Sequence, residues 1–204
     1  MEMRDLLFAE HRVNSVKRAR DLPASLGAEI DLRTRDRGIV LNHEPFQDGD
    51  LASDFFEAYG CRHLAPLILN VKEDALEEEL IHSCARFHIE NYFFLDLAFP
   101  TLVRLSMQGF DKLAVRVSEY ESLETAKRLS GKVRWAWVDS FTGKVPDKDL
   151  LHGLQSLHYR LAIVSPELHG YPLDHIQSYR IIISSLRPKL DVICTKSPAL
   201  WSQQ

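Results

Sequence analysis

Leu67-Ile-Leu-Asn-Val71, then Asp74 to Phe87, then Tyr92-Phe-Phe-Leu-Asp96 is the stretch whose reading decides the architecture. The two outer segments are short and apolar at consecutive positions, so each reads as a strand buried on both faces. Between them Leu76, Leu80, Ile81, Cys84 and Phe87 recur at helical spacing, with Glu77, Glu78 and Glu79 on the solvated side. Fully buried strands joined by a helix belong to a parallel sheet covered by helices.

Toward the C-terminus the unit repeats. Phe99 to Gln108 is a helix stopped by Gly109, Leu113 to Val117 a strand and Ser122 to Leu129 a helix. Val133 to Val138 and Leu161 to Val164 are strands, separated by a helix over Asp147 to Leu157. A helix over Pro172 to Leu186 and a strand over Asp191 to Cys194 end the series. Toward the N-terminus, Leu6 to Ala9 is a strand, and Val13 to Leu26 a helix capped by Asn14, with Pro23 in its last turn and Gly27 as its stop. Ala28 to Arg33 is the second strand, extended by a hairpin-like addition over Ile39 to Asn42, and Asp50 to Tyr59 is a short helix. Eight strands, each of the first seven followed by a helix, predict one compact α/β domain over 1–204, a (β/α)8 barrel.

The totals agree and exclude other classes. The 204 residues are 45% apolar and 26% charged, with a net charge of −4, so no basic excess points to nucleic acid. No apolar run reaches the ~20 residues of a membrane helix. Met1 to Ala9 has too short an apolar run and too early an acid for a signal peptide. Cys61, Cys84 and Cys194 are odd in number and scattered, which reads as buried thiols of a reducing, cytoplasmic compartment.

The polar residues of interest begin in Ala28-Glu-Ile-Asp-Leu-Arg-Thr-Arg-Asp-Arg-Gly-Ile-Val-Leu-Asn-His-Glu-Pro45. Glu29 and Asp31 are two apart, so a strand puts both carboxylates on one face. Their mutual repulsion is relieved by a hard divalent cation, with His43 placed to move protons nearby. A solvated strand edge with a loop histidine is the plain alternative.

Barrel chemistry lies at the C-terminal ends of the strands. There the chain offers His11-Arg12, then Glu29 and Asp31, then His43-Glu44, then Asn70 and Lys72. Asp96, Trp137, Asp139, Glu167, His169 and Thr195-Lys196 follow. Paired, same-face polar residues inside apolar strands are not explained by strand ends meeting water. Trp137, Asp139 and Glu167 are candidates for the wall of a substrate pocket.

His11-Arg12, Glu29-x-Asp31, Thr34-Arg-Asp36-x-Gly38 and His43-Glu44-Pro45 together resemble the glycerophosphodiester phosphodiesterases. These belong to the barrel superfamily of phosphatidylinositol phospholipases. Leu69-Asn70-Val71-Lys72 is similar to the family's third-strand acid-x-Lys, and Ile193-Cys-Thr195-Lys-Ser-Pro198 to its closing strand. The resemblance implies a metal-dependent phosphodiesterase that cleaves a small phosphodiester. It implies His11 and His43 as the acid/base pair, Arg12 and Lys72 as phosphate contacts, and Glu29, Asp31 and Asn70 around Mg²⁺ or Ca²⁺. The chain departs from the family pattern in that Val13 stands for a glycine, Glu44 for aspartate and Asn70 for the acidic third ligand, and Arg37 beside the turn glycine makes the spacing one residue shorter. An amide oxygen there removes one negative charge, so a barrel that binds a phosphorylated small molecule without efficient turnover is the alternative.

Overall fold

The computed structural model describes residues 6–186 and 190–202, so Met1 to Asp5, part of the leader argument, lie outside it. The strands are β1 (Leu7–Glu10), β2 (Leu26–Arg35), β3 (Gly38–Leu41), β4 (Leu67–Val71), β5 (Tyr92–Leu95), β6 (Ala114–Val117), β7 (Trp135–Val138), β8 (Arg160–Val164) and β9 (Val192–Thr195). The helices are α1 (Val16–Asp21), α2 (Ala52–Tyr59), α3 (Glu77–Arg86), α4 (Phe99–Met107), α5 (Leu123–Leu129), α6 (Lys148–Ser156), α7 (Asp174–Leu186) and α8 (Pro198–Ser202). A 3-10 turn over Pro166–His169 follows β8.

Eight strands run parallel in the order β5-β4-β2-β1-β9-β8-β7-β6, and β3 folds back antiparallel on the long β2. The two ends of that order meet through a single bridge, Phe94 to Leu113, supported by the Phe94 N–H donating to the Lys112 carbonyl at 2.9 Å. The sheet is thus a (β/α)8 barrel, nearly closed, with a thin seam between β5 and β6.

Strand parity divides the side chains between two cores. One face packs under the helices and carries most of the apolar residues. The other fills the barrel, where Trp135 and Phe93 stack 4.5 Å apart, with Trp137, Ile68 and Leu95 beside them. Small Ala9, Ala114 and Ala162 leave room for these large rings, the large-against-small filling a narrow barrel needs. Register pairs Ala9 with Gly27, Glu29 with Ile68, and Asp31 with Asn70. The inward face of β2 is therefore Gly27, Glu29 and Asp31. Gly27 is required there, because a Cβ would lie 2.1 Å from the Pro66 carbonyl oxygen.

Several local expectations change. The first helix is only Val16–Asp21, and Ser15, not Asn14, caps it by accepting from the Arg18 N–H at 3.2 Å. Pro23 ends that helix early, which frees Leu26 and Gly27 to start β2. Glu77 is buried, not solvated: its carboxylate accepts from the Ala75 N–H and lies 3.6 Å from Arg104. Cys84 and Cys194 are buried thiols, but Cys61 is exposed. No described helix is long and apolar enough to cross a membrane.

Candidate active site

At the end of β1 the chain makes one more ladder bond, from the His11 N–H to the Thr195 carbonyl at 3.1 Å, and then turns. The turn is carried by Arg12, whose φ is +56°. It aims the Arg12 backbone N–H at Glu29 Oε2, 2.8 Å away, while Val13 donates to the Glu29 carbonyl at 2.9 Å. The left-handed residue is thus Arg12, and Val13 is free to be a buried apolar side chain.

Glu29 and Asp31 are each 1% exposed, inside the barrel mouth. Glu29 Oε1 accepts from Asn70 Nδ2 at 2.9 Å, and His11 Nε2 lies 3.7 Å from Oε2. Asp31 is held by Asn14, whose Nδ2 donates to Oδ2 at 2.8 Å and whose Oδ1 accepts the Asp31 N–H at 2.9 Å. Lys72 Nζ sits 3.2 Å from Asp31 Oδ1 and Arg12 Nε 3.8 Å from Oδ2. Burial first, and then the Asp31 charge, push the Glu29 carboxyl well above the usual carboxylate range, against the Asn70 and Arg12 hydrogen bonds. Burial, then Arg12 and Lys196, push His11 down to about 4, against the pull of Asp31. His11 is therefore neutral near pH 7. Its Nδ1 is buried without a hydrogen-bond partner, as are Asn70 Oδ1 and Asp31 Oδ1. No group of three or more His, Cys, Asp or Glu is gathered as a metal cage among the described residues. Two carboxylates and the unpartnered Asn70 amide oxygen are oxygen donors of the kind that could hold Mg²⁺ or Ca²⁺.

His43 stands apart from this buried group. It follows β3, is partly exposed, and its Nδ1 meets Glu44 Oε1 at 2.8 Å. Arg33 fixes its backbone by donating to the His43 carbonyl from Nε and Nη2, each at 3.1 Å.

From Asp31 the pairing runs on around the mouth. Lys72 Nζ lies 4.0 Å from Asp96, Asp96 pairs with Arg116, Arg116 with Asp139, and Asp139 with His169. Arg12, Asp31, Lys72, Asp96, Arg116, Asp139 and His169 thus form a continuous arc of paired polar groups along the mouth. Asp96 reaches both neighbours because its φ is +58°, a conformation aspartate tolerates. Asp139 is buried in this arc, and Trp137 is packed in the interior core below it. Glu167 accepts from Ser165 Oγ, Thr195 Oγ1 and the Lys196 N–H, which locks the loops after β8 and β9 together. Sequence reading passed over Asn14 and Arg116. The signal for Arg116 was a lone guanidinium inside a four-residue apolar strand; Asn14 looked like an ordinary helix cap.

No family model matches the sequence, and no curated protein matches it. Solved structures do match in fold. A protein of Agrobacterium tumefaciens described as a glycerophosphoryl diester phosphodiesterase is 14% identical, with a TM-score of 0.69 over 96% of this chain and 95% of that one. A glycerophosphodiester phosphodiesterase of the same organism is 11% identical, with a TM-score of 0.69 over 97% of this chain and all of that one. One from Galdieria sulphuraria is 14% identical, with a TM-score of 0.68 over 96% and 95%. The α-subunit of tryptophan synthase from Pyrococcus furiosus, a different enzyme, also matches, with a TM-score of 0.60 at 11% identity. At these identities the likeness is one of fold, and a shared barrel does not carry an activity with it. What this chain shares with these proteins is the (β/α)8 barrel fold.

Proposed function

We propose that the protein is a metal-dependent phosphodiesterase acting on a glycerophosphodiester-type substrate, releasing an alcohol and a phosphomonoester or cyclic phosphate. The observation that carries this reading is the convergence, at one barrel mouth, of His11, Arg12, Glu29, Asp31, Asn70 and Lys72 from three separate strand ends. The likeness to phosphodiesterase barrels supports it.

A phosphodiester is a stable anion, so cleavage needs charge neutralisation, a base for the nucleophile and an acid for the leaving alkoxide. Glu29, Asp31 and the amide oxygen of Asn70 would hold Mg²⁺ or Ca²⁺, and the bound ion supplies positive charge against the non-bridging oxygens. Lys72 and Arg12 supply fixed charge beside it. Neutral His11 takes the proton from the attacking hydroxyl, of water or of the substrate itself. His43, with its Nδ1 held by Glu44, gives a proton from Nε2 to the departing oxygen. Asn14 keeps Asp31 oriented. A net charge of −4 and a mouth of paired charges offer no basic track for nucleic acid. The two buried free thiols accord with a cytoplasmic setting.

One observation favours a second reading. The third donor is an amide and Lys72 already lies 3.2 Å from Asp31, so the carboxylates are partly neutralised from within. A barrel that binds a phosphorylated small molecule without efficient turnover fits that as well. Phosphorus NMR of glycerophosphodiesters incubated with the protein, with Mg²⁺, with Ca²⁺ and with EDTA, separates the two. Metal-dependent appearance of a monoester or cyclic signal is expected. Binding with no new phosphorus signal in any condition rules the phosphodiesterase out.

A further inference from the structure

We infer that the seam between β5 and β6 is the pocket for the alcohol half of the diester, and that it takes an alcohol that carries no negative charge and bears an apolar group of aromatic-ring size. This rests on the phosphodiesterase reading and adds the substrate's shape to it. Across the seam the described pairing is confined to the Phe94–Leu113 bridge. Beyond that point the strands part, and a cleft of about 640 Å³ opens between them. Leu95, Leu97, Phe99, Leu102, Val115 and Tyr120 are among its walls, with Ser122, the residue that precedes α5, and Thr125 within α5. Asp96 and Arg116, two members of the arc of paired charges, also line it, so the cleft adjoins the mouth.

The charges there choose the ligand. Arg116 already faces Asp96, Asp139 and, at 3.9 Å, Glu121. One guanidinium among three carboxylates leaves nothing for a further anion, and Phe99 and Tyr120 are both largely exposed, the Tyr120 ring meeting the half-exposed ring of the cleft's neighbour Phe141 at 6.1 Å. The volume lies in the range of small-molecule pockets, roughly 300–1,000 Å³. Reach sets the length. Strands β2, β4 and β5 are successive neighbours at about 4.8 Å each, so the cleft begins roughly 10 Å from Asp31. A phosphate beside Asp31 and Lys72 places a ring in the cleft only when a short alkyl spacer joins it to the ester oxygen.

The test compares two esters of glycerol phosphate, propyl and 3-phenylpropyl, in the presence of Mg²⁺, by phosphorus NMR for turnover and calorimetry for binding. The phenyl group should raise kcat/KM at least about tenfold, the value of burying one such ring. Thr125→Trp fills the cleft from α5 and should bring that ratio close to one; Ser122→Trp does the same if the first variant does not fold. A wild-type ratio near one, or a high ratio that survives both substitutions, overturns the assignment. If neither ester is cleaved, calorimetry still decides. Tighter phenylpropyl binding that the tryptophans abolish keeps the cleft and ends the phosphodiesterase reading, whereas equal binding of the two esters ends the cleft.

Discussion

Asn70→Asp restores the acid that the phosphodiesterase pattern has at the third strand, and the structure sets what that change does without metal. Asn70 Nδ2 donates to Glu29 Oε1 at 2.9 Å, and the substitution turns that bond into two facing carboxylate oxygens. At an effective dielectric of about 20 and roughly 3 Å, the unrelaxed repulsion is about 5 kcal/mol. Glu29 is already pushed to about 7 by burial and Asp31, so a proton held by one of the two carboxyls keeps the penalty below about 4 kcal/mol near pH 7, and loss of the amide's hydrogen bond costs about 1.5 kcal/mol. At about 2–4 °C per kcal/mol for a chain of this size, the variant's Tm in EDTA should fall roughly 5–15 °C below wild type. The sign with pH follows. The new carboxyl's pKa is raised in the folded state, so its contribution is favourable at acid pH and is lost as pH rises, and the deficit should shrink between about pH 7 and pH 5. Saturating Mg²⁺ should reverse the order, because a third carboxylate strengthens a hard-cation site and ligand binding stabilises the folded state. Thermal melts of both proteins in EDTA and in Mg²⁺ are the assay. A variant as stable as wild type in EDTA, or one that gains no more from Mg²⁺ than wild type does, refutes the placement of Asn70 among the cation's donors.

Asn14→Ala removes both bonds that orient Asp31 and should lower stability by about 1–3 kcal/mol and kcat/KM by about tenfold or more, read by urea unfolding and phosphorus NMR. Arg116→Met leaves the buried Asp139 without its guanidinium and should be destabilising by about 3–5 kcal/mol; a loss under 1 kcal/mol would show the arc to be weakly coupled. In the metal-free protein, nitrogen NMR should find His11 still neutral at pH 6 and titrating near pH 4, because its pKa is pushed down to about 4. Glu119, opposed by its partial burial, is held down to about 2 by hydrogen bonds from Thr142, Ser140 and Phe141, which tie the loop after β6 to that after β7. That stability is present above the ordinary 4.5 and is lost as pH falls toward 2, so Glu119→Gln should flatten the acid limb of a pH–Tm curve.

How far the residues speak for themselves depends on the range of the force involved. Alternation of apolar runs with helical periodicity is local, so the barrel, its strand count and most helix faces could be read from the chain alone. The same parity argument put Glu29 and Asp31 on one face, because a strand repeats every two residues whatever it packs against. Which face was inward could not be known that way. It depends on β2 running from Leu26 to Arg35 beside β1 and β4, which places those carboxylates in the lumen and not on a wet edge. Asn14 and Ser15 show the same limit: both are good caps in sequence, and only the approach of Asp31 assigns one to the helix and the other to the site.

Sequence alone determined the architecture and the list of polar groups at the strand ends, since both follow from short-range spacing. The tertiary structure alone decided that Arg12, Asp31, Lys72, Asp96, Arg116, Asp139 and His169 join into one arc, and that the arc borders an open seam. These are contacts between residues 19 to 41 positions apart, made by strand pairing around the barrel, and a charge pair acts through space whatever its separation along the chain.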